Sequence, residues 1–364
     1  MKTLYNFSAG PSVLPAEALK KAQESLSDYG GSGMSVMEMS HRSKEFDEII
    51  KNTEALFRSV LAIPDNYSVL FLQGGATLQF AMVPMNLLAR SGKADYVITG
   101  NFANNAYKEA LLFGKDISVA WTGKSENFSR IPEQGELTLD PAADYVHICV
   151  NNTIFGTKWQ YVPETGNVPI VADMSSCILS EPVDVSKYGL IYAGAQKNIA
   201  PAGLTLVIIR NDLLGDPLPG TPTMLNYRTM AENGSMKNTP PCWPIYISML
   251  VLEWIRDMGG LEVMRNRNEE KARVLYDYLD KTDFYRTDVN PRDRSIMNVT
   301  FKTANEDLDA KFIAESKAQG MSNLKGHRSV GGMRASVYNA MPVEGVAYLV
   351  EFMKKFEKEN GGRV

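Results

Sequence analysis

A lysine between two apolar segments is the residue best suited to chemistry in this sequence. Residues 190–193 and 204–209 are apolar and β-prone, so each segment predicts a buried strand. Between them lie small residues, and Lys197 carries the only charge. Burial would lower the pKa of its amine, and such lysines commonly form a Schiff base with an aldehyde cofactor. A surface turn would show the same local pattern, so Lys197 has to be interpreted together with other residues.

A carboxylate lies 24 residues before this lysine, at the end of another apolar segment. Residues 169–172 predict a strand that ends at Asp173, and open α/β sheets bind ligands at the carboxyl ends of their strands. An aspartate there can pair with the ring nitrogen of pyridoxal phosphate and keep it protonated, so that the ring accepts electrons. Asp173 could instead cap a following helix. The order of strand, aspartate, strand and lysine favours the cofactor interpretation.

A glycine-rich turn earlier in the chain predicts a phosphate site. Residues 67–72 predict a strand, and Gly75, Ala76 and Thr77 follow it at the start of a helical segment. Free N–H groups at a helix N-terminus attract an oxyanion, and the Thr77 hydroxyl adds a donor. A tight turn without any ligand would use the same glycines. The position of the turn, upstream of the aspartate and the lysine, favours a cradle for a cofactor phosphate.

Two more predicted strands end near residues that could contact a cofactor. Residues 96–99 precede Phe102, whose ring could stack on a flat cofactor or belong to the core. Residues 145–150 precede Thr153, which offers a hydroxyl at the same edge of the sheet. Strands alternate with helices over residues 65–210, and this predicts an α/β domain with a largely parallel sheet.

Length and composition restrict the functional class. The chain has 364 residues and a net charge of −4 without a basic block, so nucleic acid and anionic membranes are poor partners. Three cysteines without metal-ligand spacing fit reduced thiols in the cytoplasm, and no export or membrane-spanning segment is expected. We expect an extended segment over residues 1–15, a large domain over 16–258 and a small α/β domain over 259–364.

Histidine–arginine pairs offer local positive charge for an anionic substrate. Two of the three histidines lie in identical tripeptides, His41-Arg42-Ser43 and His327-Arg328-Ser329, and Arg334 follows six residues after Arg328. Such groups donate charge-assisted hydrogen bonds to phosphate, and arginine can also bind a carboxylate through two parallel hydrogen bonds. Each arginine alone could be solvated or salt-bridged. The repeated tripeptide favours a substrate with both phosphate and carboxylate groups.

Longer motifs resemble those of the phosphoserine aminotransferases, a family of class V aminotransferases with pyridoxal-phosphate fold type I. This resemblance implies a large domain with a mainly parallel central sheet and a smaller C-terminal α/β domain. It also implies transfer of an amino group between glutamate and 3-phosphohydroxypyruvate, giving O-phosphoserine and 2-oxoglutarate, and it allows activity on 4-phosphohydroxythreonine. The motifs that carry it are NFSAGPSVLP, GGSGMSVMEMSHRS, QGGATLQFAMVPMNLL, NTPP, GHRSVGGMRASVYNA and the segment DMSSC…VIIR of residues 173–210.

The resemblance implies a role for each matching residue. Lys197 resembles the lysine that binds the cofactor aldehyde, and Asp173 resembles the partner of the ring nitrogen. Arg42 and Arg334 match residues that bind the substrate carboxylate. The remaining matches are Gly75, Ala76 and Thr77 in the phosphate cradle, Thr153 and Gln196 as cofactor contacts, and His41, His327 and Arg328 near the substrate phosphate. Asn238 and Thr239 match residues that reach the cofactor phosphate of a neighbouring subunit, so a homodimer with shared sites is implied.

One position departs from the family pattern. The stacking aromatic residue is commonly tryptophan, whereas this chain has Phe102. Phenylalanine keeps the π face but loses area and the indole N–H, so we expect weaker stacking on the cofactor with the chemistry intact.

Three other functions are compatible with parts of the pattern. A cysteine desulfurase needs a nucleophilic cysteine on a mobile C-terminal loop, yet Cys242 is the only thiol after residue 177 and has Pro241 and Trp243 beside it. An alanine–glyoxylate-type aminotransferase would not need two His-Arg-Ser loops. A non-catalytic phosphate- or nucleotide-binding module fits the glycine-rich turn alone, and a colourless purified protein would favour it.

Overall fold

The computed structural model of the chain describes residues 4–114 and 116–361. Its central feature is a seven-stranded sheet with helices on both faces. Two pairs of short strands complete the β structure of the described residues. The strands are β1 (Tyr5–Asn6), β2 (Tyr67–Leu72), β3 (Lys93–Ile98), β4 (Asp116–Thr122), β5 (Tyr145–Cys149), β6 (Ile170–Asp173), β7 (Leu190–Gly194), β8 (Thr205–Arg210), β9 (Asn298–Phe301), β10 (Met321–Ser322) and β11 (Met333–Ser336).

Nine α-helices surround these strands in the described part of the chain. None of the helices within residues 4–114 and 116–361 combines the length and the apolar character that crossing a membrane requires. The helices are α1 (Ala16–Glu24), α2 (Lys44–Val60), α3 (Gly75–Leu87), α4 (Asn101–Ala110), α5 (Tyr227–Glu232), α6 (Cys242–Asp257), α7 (Leu261–Leu279), α8 (Glu306–Ala318) and α9 (Val343–Asn360).

Strand directions bring several strand ends to one edge of the large sheet. The order across the sheet is β2-β8-β7-β6-β5-β3-β4, and only β8 runs antiparallel to its neighbours. The carboxyl ends of β2, β3, β5, β6 and β7 therefore lie at the same edge, where open α/β sheets bind ligands. The predicted α/β fold with a mainly parallel central sheet is confirmed.

Alternating side chains of the buried strands enter two different apolar layers. In β6, Val171 packs in the layer formed with α3, α4 and α5, whereas the next residue, Ala172, packs in the layer formed with α1, α2 and α6. Successive side chains of a strand point to opposite faces, so a sheet covered on both faces needs continuous apolar sequence. This requirement explains why the segments around Asp173 and Lys197 are so uniformly apolar.

Apolar residues at helical spacing predict a stripe that includes Leu19 and Leu26 on one early helix, and an apolar face with Phe46, Ile49 and Phe57 on the next. The predicted apolar face of α2 is confirmed, because Phe46, Ile49 and Phe57 are buried and Ser43 caps the helix by accepting a hydrogen bond from the backbone N–H of Phe46 at 3.2 Å. The apolar stripe predicted for α1 is wrong at Leu19 and Leu26, which are 48% and 44% exposed. Helix α1 buries only Ala18 and Ala22, and Leu26 lies beyond its last residue.

A second apolar core lies towards the carboxyl terminus. It is formed by α8, α9, β9, β11 and the second half of α7, together with Phe7 from the N-terminal segment. Helix α7 contributes to both parts of the molecule, since Leu261 and Met264 pack in the core of the large sheet while Ala272 and Leu275 pack in the second core. The domain boundaries at residues 15/16 and 258/259 stay a prediction.

The sequence predicts strands over residues 295–301 and 333–340 in the second core, and both strands are shorter in the structure. β9 begins at Asn298 rather than at residue 295, because the Ser295 hydroxyl accepts hydrogen bonds from the backbone N–H groups of Met297 and Asn298 and forms a turn there. β11 ends at Ser336 rather than at residue 340. Beyond β11, the buried Lys271 Nζ donates hydrogen bonds to the backbone carbonyls of residues 337–339, so these carbonyls are not available to a neighbouring strand.

Candidate active site

Lys197 lies just beyond β7 and is buried, as the sequence predicts. The residue is 8% exposed, and Nζ donates a hydrogen bond to Thr153 Oγ1 at 2.8 Å. The N-terminal segment holds the backbone on either side of it. Ser12 N–H donates to the Gln196 carbonyl at 2.9 Å, and the Ser12 hydroxyl donates to the Lys197 carbonyl. The amine therefore has a defined position despite the four flexible bonds of a lysine side chain.

Asp173 ends β6 and shares one cavity with Lys197. The cavity measures about 270 Å³, and both side chains line it. Asp173 is 5% exposed, and its carboxylate accepts a hydrogen bond from the Ser175 N–H at 2.9 Å. Burial raises the pKa of Asp173, whereas the Ser175 hydrogen bond and the charge of Lys197 oppose that rise. Burial lowers the pKa of Lys197, and the charge of Asp173 opposes this in turn.

Helix α3 presents its N-terminus to the same cavity. Gly74 precedes the helix with φ +87°, and a Cβ there would lie 2.4 Å from Leu78 Cδ2, so this turn requires glycine. Within the described residues no side chain caps this helix, and its first-turn N–H groups remain available to a ligand. Gly75, Ala76 and Thr77 all line the cavity. This arrangement can hold a phosphate group.

Phe102 forms part of the cavity wall rather than part of the core. It is the second residue of α4, it is 36% exposed, and Lys197 Nζ lies 5.6 Å from the centre of its ring. A flat cofactor joined to Lys197 could stack on this ring.

Two of the predicted substrate residues lie in the cavity. Arg334, on β11, and His327, in the preceding loop, line it together with Lys197. The Arg334 guanidinium donates to the Thr153 carbonyl at 3.1 Å, and burial lowers its pKa. Burial and the nearby charges of Arg334 and Arg328 lower the pKa of His327. Arg334 therefore brings a positive charge into the cavity of the buried amine, while the lowered pKa of His327 favours a neutral imidazole.

The other predicted substrate and phosphate residues lie outside this cavity. Arg328 is exposed on the loop that carries His327, and Arg42 is exposed just before α2. His41 Nδ1 and Thr239 Oγ1 form a hydrogen bond of 3.1 Å with each other. Asn238 lines a separate depression. One chain alone therefore unites Lys197, Asp173, Phe102, Thr153, Gln196, His327, Arg334 and residues 75–77, but not His41, Arg42, Asn238, Thr239 or Arg328.

Comparison with known proteins identifies the family. The model of aminotransferase class-V matches residues 4–349. The chain belongs to the class V aminotransferases.

Phosphoserine aminotransferases are among the relatives of the chain within this class. A phosphoserine aminotransferase from Nitrosomonas europaea is 53% identical over 368 residues, which cover 99% of this chain and 100% of the relative. A phosphoserine aminotransferase structure that concerns radiation damage of its Schiff base has a TM-score of 0.97 at 46% identity, with 99% of this chain and 100% of that chain covered. The enzyme from Trichomonas vaginalis with pyridoxal phosphate bound has a TM-score of 0.92 at 38% identity, with 97% and 100% covered.

This class V aminotransferase uses pyridoxal phosphate, and the residues of its cavity fit that group. The uncapped N-terminus of α3 suits the phosphate, the buried Lys197 amine suits the aldehyde, and the buried Asp173 carboxylate suits a protonated ring nitrogen. The three features line a single cavity.

A larger aromatic side chain at position 102 should tighten cofactor binding by this class V aminotransferase. Aromatic stacking contributes about 0.5–1.5 kcal/mol beyond the area that it buries. We expect Phe102→Ala to weaken pyridoxal phosphate binding by about three- to tenfold and Phe102→Trp to strengthen it modestly. Titration of the apoenzyme with the cofactor, followed by absorbance, measures both dissociation constants. An alanine variant with unchanged affinity would contradict a stacking role.

Several residues of the cavity have no counterpart among the predicted site residues. Ala9 and Gly10 come from the N-terminal segment, where the motif NFSAGP was the only sequence signal. A Cβ on Gly10 would lie 3.4 Å from Lys197 Cγ, so the segment packs directly on the lysine side chain. The remaining unpredicted residues are Phe80, Cys149, Asn151, Ile154, Ser175 and Ser176.

A larger cavity of about 520 Å³ lies beside the second His-Arg-Ser loop. It is lined by Ser329, Val330 and Gly331 of that loop, and Lys302 at its wall is paired with Asp288 at 2.5 Å. It contains none of the predicted site residues. The smaller cavity holds the buried Lys197 amine, which forms no ion pair within the described residues, and it is therefore the candidate active site of this aminotransferase.

Proposed function

We propose that this protein transfers the amino group of L-glutamate to 3-phosphohydroxypyruvate, giving O-phospho-L-serine and 2-oxoglutarate in serine biosynthesis. The observation that carries the proposal is the presence of Arg334 and His327 in the cavity of Lys197 and Asp173, with Arg328 on the adjoining loop. The two arginines can bind a carboxylate and a phosphate, and His327 can add a hydrogen bond to either group. The full-length similarity to phosphoserine aminotransferases supports the same reaction.

Each part of the cofactor has a proposed partner in the cavity. The N–H groups of residues 75–77 and the Thr77 hydroxyl hold its phosphate, and Phe102 covers one ring face. Asp173 holds the proton on the ring nitrogen, while Thr153 and Gln196 complete the contacts. When bound, pyridoxal phosphate supplies an aldehyde that accepts an amino group and a protonated ring that withdraws electrons from the substrate's α-carbon.

Lys197 is the proposed general base and acid. Its lowered pKa favours a neutral Nζ, which removes the α-proton of the bound amino acid and later returns a proton. Thr153 holds Nζ at 2.8 Å within the cavity, and Arg334 orients the substrate by binding its α-carboxylate. Because one site serves both substrates in turn, we expect ping-pong kinetics.

A homodimer accounts for the predicted residues that lie outside the cavity. Asn238 and Thr239 would reach the cofactor phosphate of the partner subunit, with His41 and Arg42 near its substrate. The hydrogen bond between His41 and Thr239 supports a common surface for these two segments. Met34 and Met37, which shortly precede His41, are 39% and 58% exposed in the single chain, and a subunit interface would cover them. We place the enzyme in the cytoplasm.

Two arginine variants test the substrate assignment. Arg328→Ala should raise the KM for 3-phosphohydroxypyruvate by about ten- to a hundredfold and leave the KM for glutamate nearly unchanged, because only one substrate carries phosphate. Arg334→Ala should raise both KM values, because both substrates carry an α-carboxylate. Steady-state kinetics of each substrate separate the two patterns.

Arg273 provides the control, since it is exposed on α7 and lines none of the described cavities. Arg273→Ala should change neither KM. Equal increases for both substrates in Arg328→Ala would contradict its role at the phosphate. The same assays with 4-phosphohydroxy-L-threonine as amino donor test the proposed second activity in vitamin B6 biosynthesis, which requires the same phosphate contacts.

A further inference from the structure

Two buried asparagines join the candidate active site to the second core. Asn151 follows β5 at the edge of the large sheet and lines the cavity of Lys197, whereas Asn298 begins β9 and does not line it. Both asparagines are at most 2% exposed. Asn151 Nδ2 donates a hydrogen bond to Asn298 Oδ1 at 2.8 Å. Burying two amides costs free energy unless their hydrogen bonds are satisfied, so the partners of this amide pair have to be accounted for.

Every side-chain N–H group of the amide pair has a partner. The other partners are buried hydroxyl groups, namely those of Ser176 and Ser295 for Asn151, and those of Ser336 and Tyr338 for Asn298. The distances from the amide atoms to these oxygens run from 2.5 to 3.2 Å. Each amide thus donates through both N–H groups and accepts through its oxygen. Turning either amide over would set two N–H groups or two oxygens against each other across the pair, so the network fixes both orientations.

The backbone around the amide pair is tied together as well. The Ser295 N–H donates to the Gly156 carbonyl at 2.9 Å, and the Thr300 hydroxyl donates to the Phe155 carbonyl at 3.2 Å. Gly156 has φ +83°, and a Cβ there would lie 2.9 Å from the Asn298 carbonyl oxygen. The loop after β5 therefore lies directly on β9, with no space for a side chain between them.

The same loop carries Thr153, two residues after Asn151. The Thr153 hydroxyl accepts the hydrogen bond from Lys197 Nζ at 2.8 Å, and the Thr153 carbonyl accepts one from the Arg334 guanidinium at 3.1 Å. Arg334 is also the register partner of Thr300 on β9. The position of β9 relative to the loop therefore sets the distance between the guanidinium and the amine.

We propose that Asn298 is a positioning residue, which holds Arg334 at the correct distance from Lys197 through the hydrogen bond with Asn151. The proposal rests on the proposed binding of the substrate α-carboxylate by Arg334. Because both substrates carry an α-carboxylate, displacement of the guanidinium weakens the binding of both by a similar factor. The phosphate cradle and the partner of the ring nitrogen belong to α3 and the large sheet, so cofactor binding stays unchanged.

The first test removes the amide of Asn298. Asn298→Leu keeps the branching of the side chain, and we expect it to raise the KM for L-glutamate and the KM for 3-phosphohydroxypyruvate about tenfold each. The dissociation constant of pyridoxal phosphate, measured by absorbance titration of the apoenzyme, should change by no more than about twofold. Unchanged KM values would refute the proposal.

Asn360→Leu is the matched control. Asn360, on α9, is fully buried, donates to the Phe356 carbonyl at 2.8 Å and does not line the cavity of Lys197. The control variant should lose thermal stability, because it loses a buried hydrogen bond, but it should keep both KM values. Equal increases of KM in Asn298→Leu and Asn360→Leu would show that loss of stability, not positioning, causes the effect.

A double-mutant cycle tests whether Asn298 acts through Arg334. In the Arg334→Ala background, adding Asn298→Leu should change both KM values by no more than about twofold, because no guanidinium is left to be displaced. An undiminished increase in that background would refute the positioning role. If Arg334→Ala alone leaves both KM values unchanged, the proposed binding of the α-carboxylate fails. If Arg334→Ala raises both and Asn298→Leu does not, only the positioning role fails.

Ser295→Ala tests the same link if Asn298→Leu does not fold. It removes the hydroxyl that donates to Asn151 Oδ1, and Ser295 does not line the cavity of Lys197. We expect both KM values to rise about threefold. Ser248→Ala is its control, since the buried Ser248 hydroxyl on α6 donates only within its own helix, to the Ile245 carbonyl at 2.7 Å. Equal KM values in these two variants would refute the proposal.

Discussion

Replacing Lys197 by alanine should abolish covalent attachment of pyridoxal phosphate and lower turnover by about 10⁴-fold. The variant loses the amine that binds the aldehyde and the base that removes the α-proton. No second amine can substitute, because Lys197 is the only lysine that lines the cavity among the described residues. Borohydride reduction followed by peptide mass spectrometry measures the attachment, and the visible absorbance of the holoenzyme together with turnover completes the comparison.

Lys187→Ala is the matched control for this substitution. Lys187 lies in the same stretch of chain but is exposed and lines a different cavity. The control variant should retain the reduced cofactor–lysine adduct at residue 197 and normal turnover. A Lys197→Ala protein that kept both the bound-cofactor absorbance and its activity would disprove the assignment of this lysine.

Asp173→Asn should lower turnover by about 10²–10³-fold while leaving the fold intact. Asparagine has nearly the same shape as aspartate, but its neutral amide cannot stabilise a positive charge on the ring nitrogen. Without that charge the ring withdraws electrons less strongly, and removal of the α-proton becomes slower. Single-turnover measurements with glutamate, followed by the cofactor spectrum, isolate this step from substrate release.

Asp95→Asn controls for the loss of a buried carboxylate. Asp95, on β3, is 1% exposed and accepts a hydrogen bond from the Asp140 N–H at 2.7 Å, and it does not line the candidate active site. The Asp95→Asn variant should leave the single-turnover rate unchanged. Similar losses in both variants would mean that Asp173 supports the fold rather than the chemistry.

Lys197 and Asp173 could be predicted because their signals are local. Asp173 ends one strand with apolar residues on both faces, and Lys197 follows another. Parallel strands bring their carboxyl ends to one edge. The glycine-rich start of α3 is recognisable for the same reason, since the turn requires φ +87° at Gly74 next to a helix N-terminus. These predictions need only the order of strands and helices along the chain.

Other parts of the site depend on contacts that sequence order does not reveal. Ser12 and Gly10 pack on Lys197 from more than 180 residues away along the chain. Asn298 lies on a strand of the second core, and its hydrogen bond with Asn151 forms only when that core packs beside the large sheet. The exposure of Leu19 and Leu26 was not predicted, because an apolar pattern in the sequence does not show which neighbouring element covers it.

The amino-acid sequence alone was sufficient for the α/β class, the family resemblance, and the lysine and aspartate expected to act on the cofactor. Strand patterns and turn residues act over a few positions, so they can be recognised without knowing what packs against them. Only the folded chain showed that Arg334 and His327 share the cavity of Lys197 while Arg42 and Thr239 do not. That distinction depends on side chains that are far apart in sequence. The packing of the two cores beside one edge of the sheet decides which of these side chains lie close together.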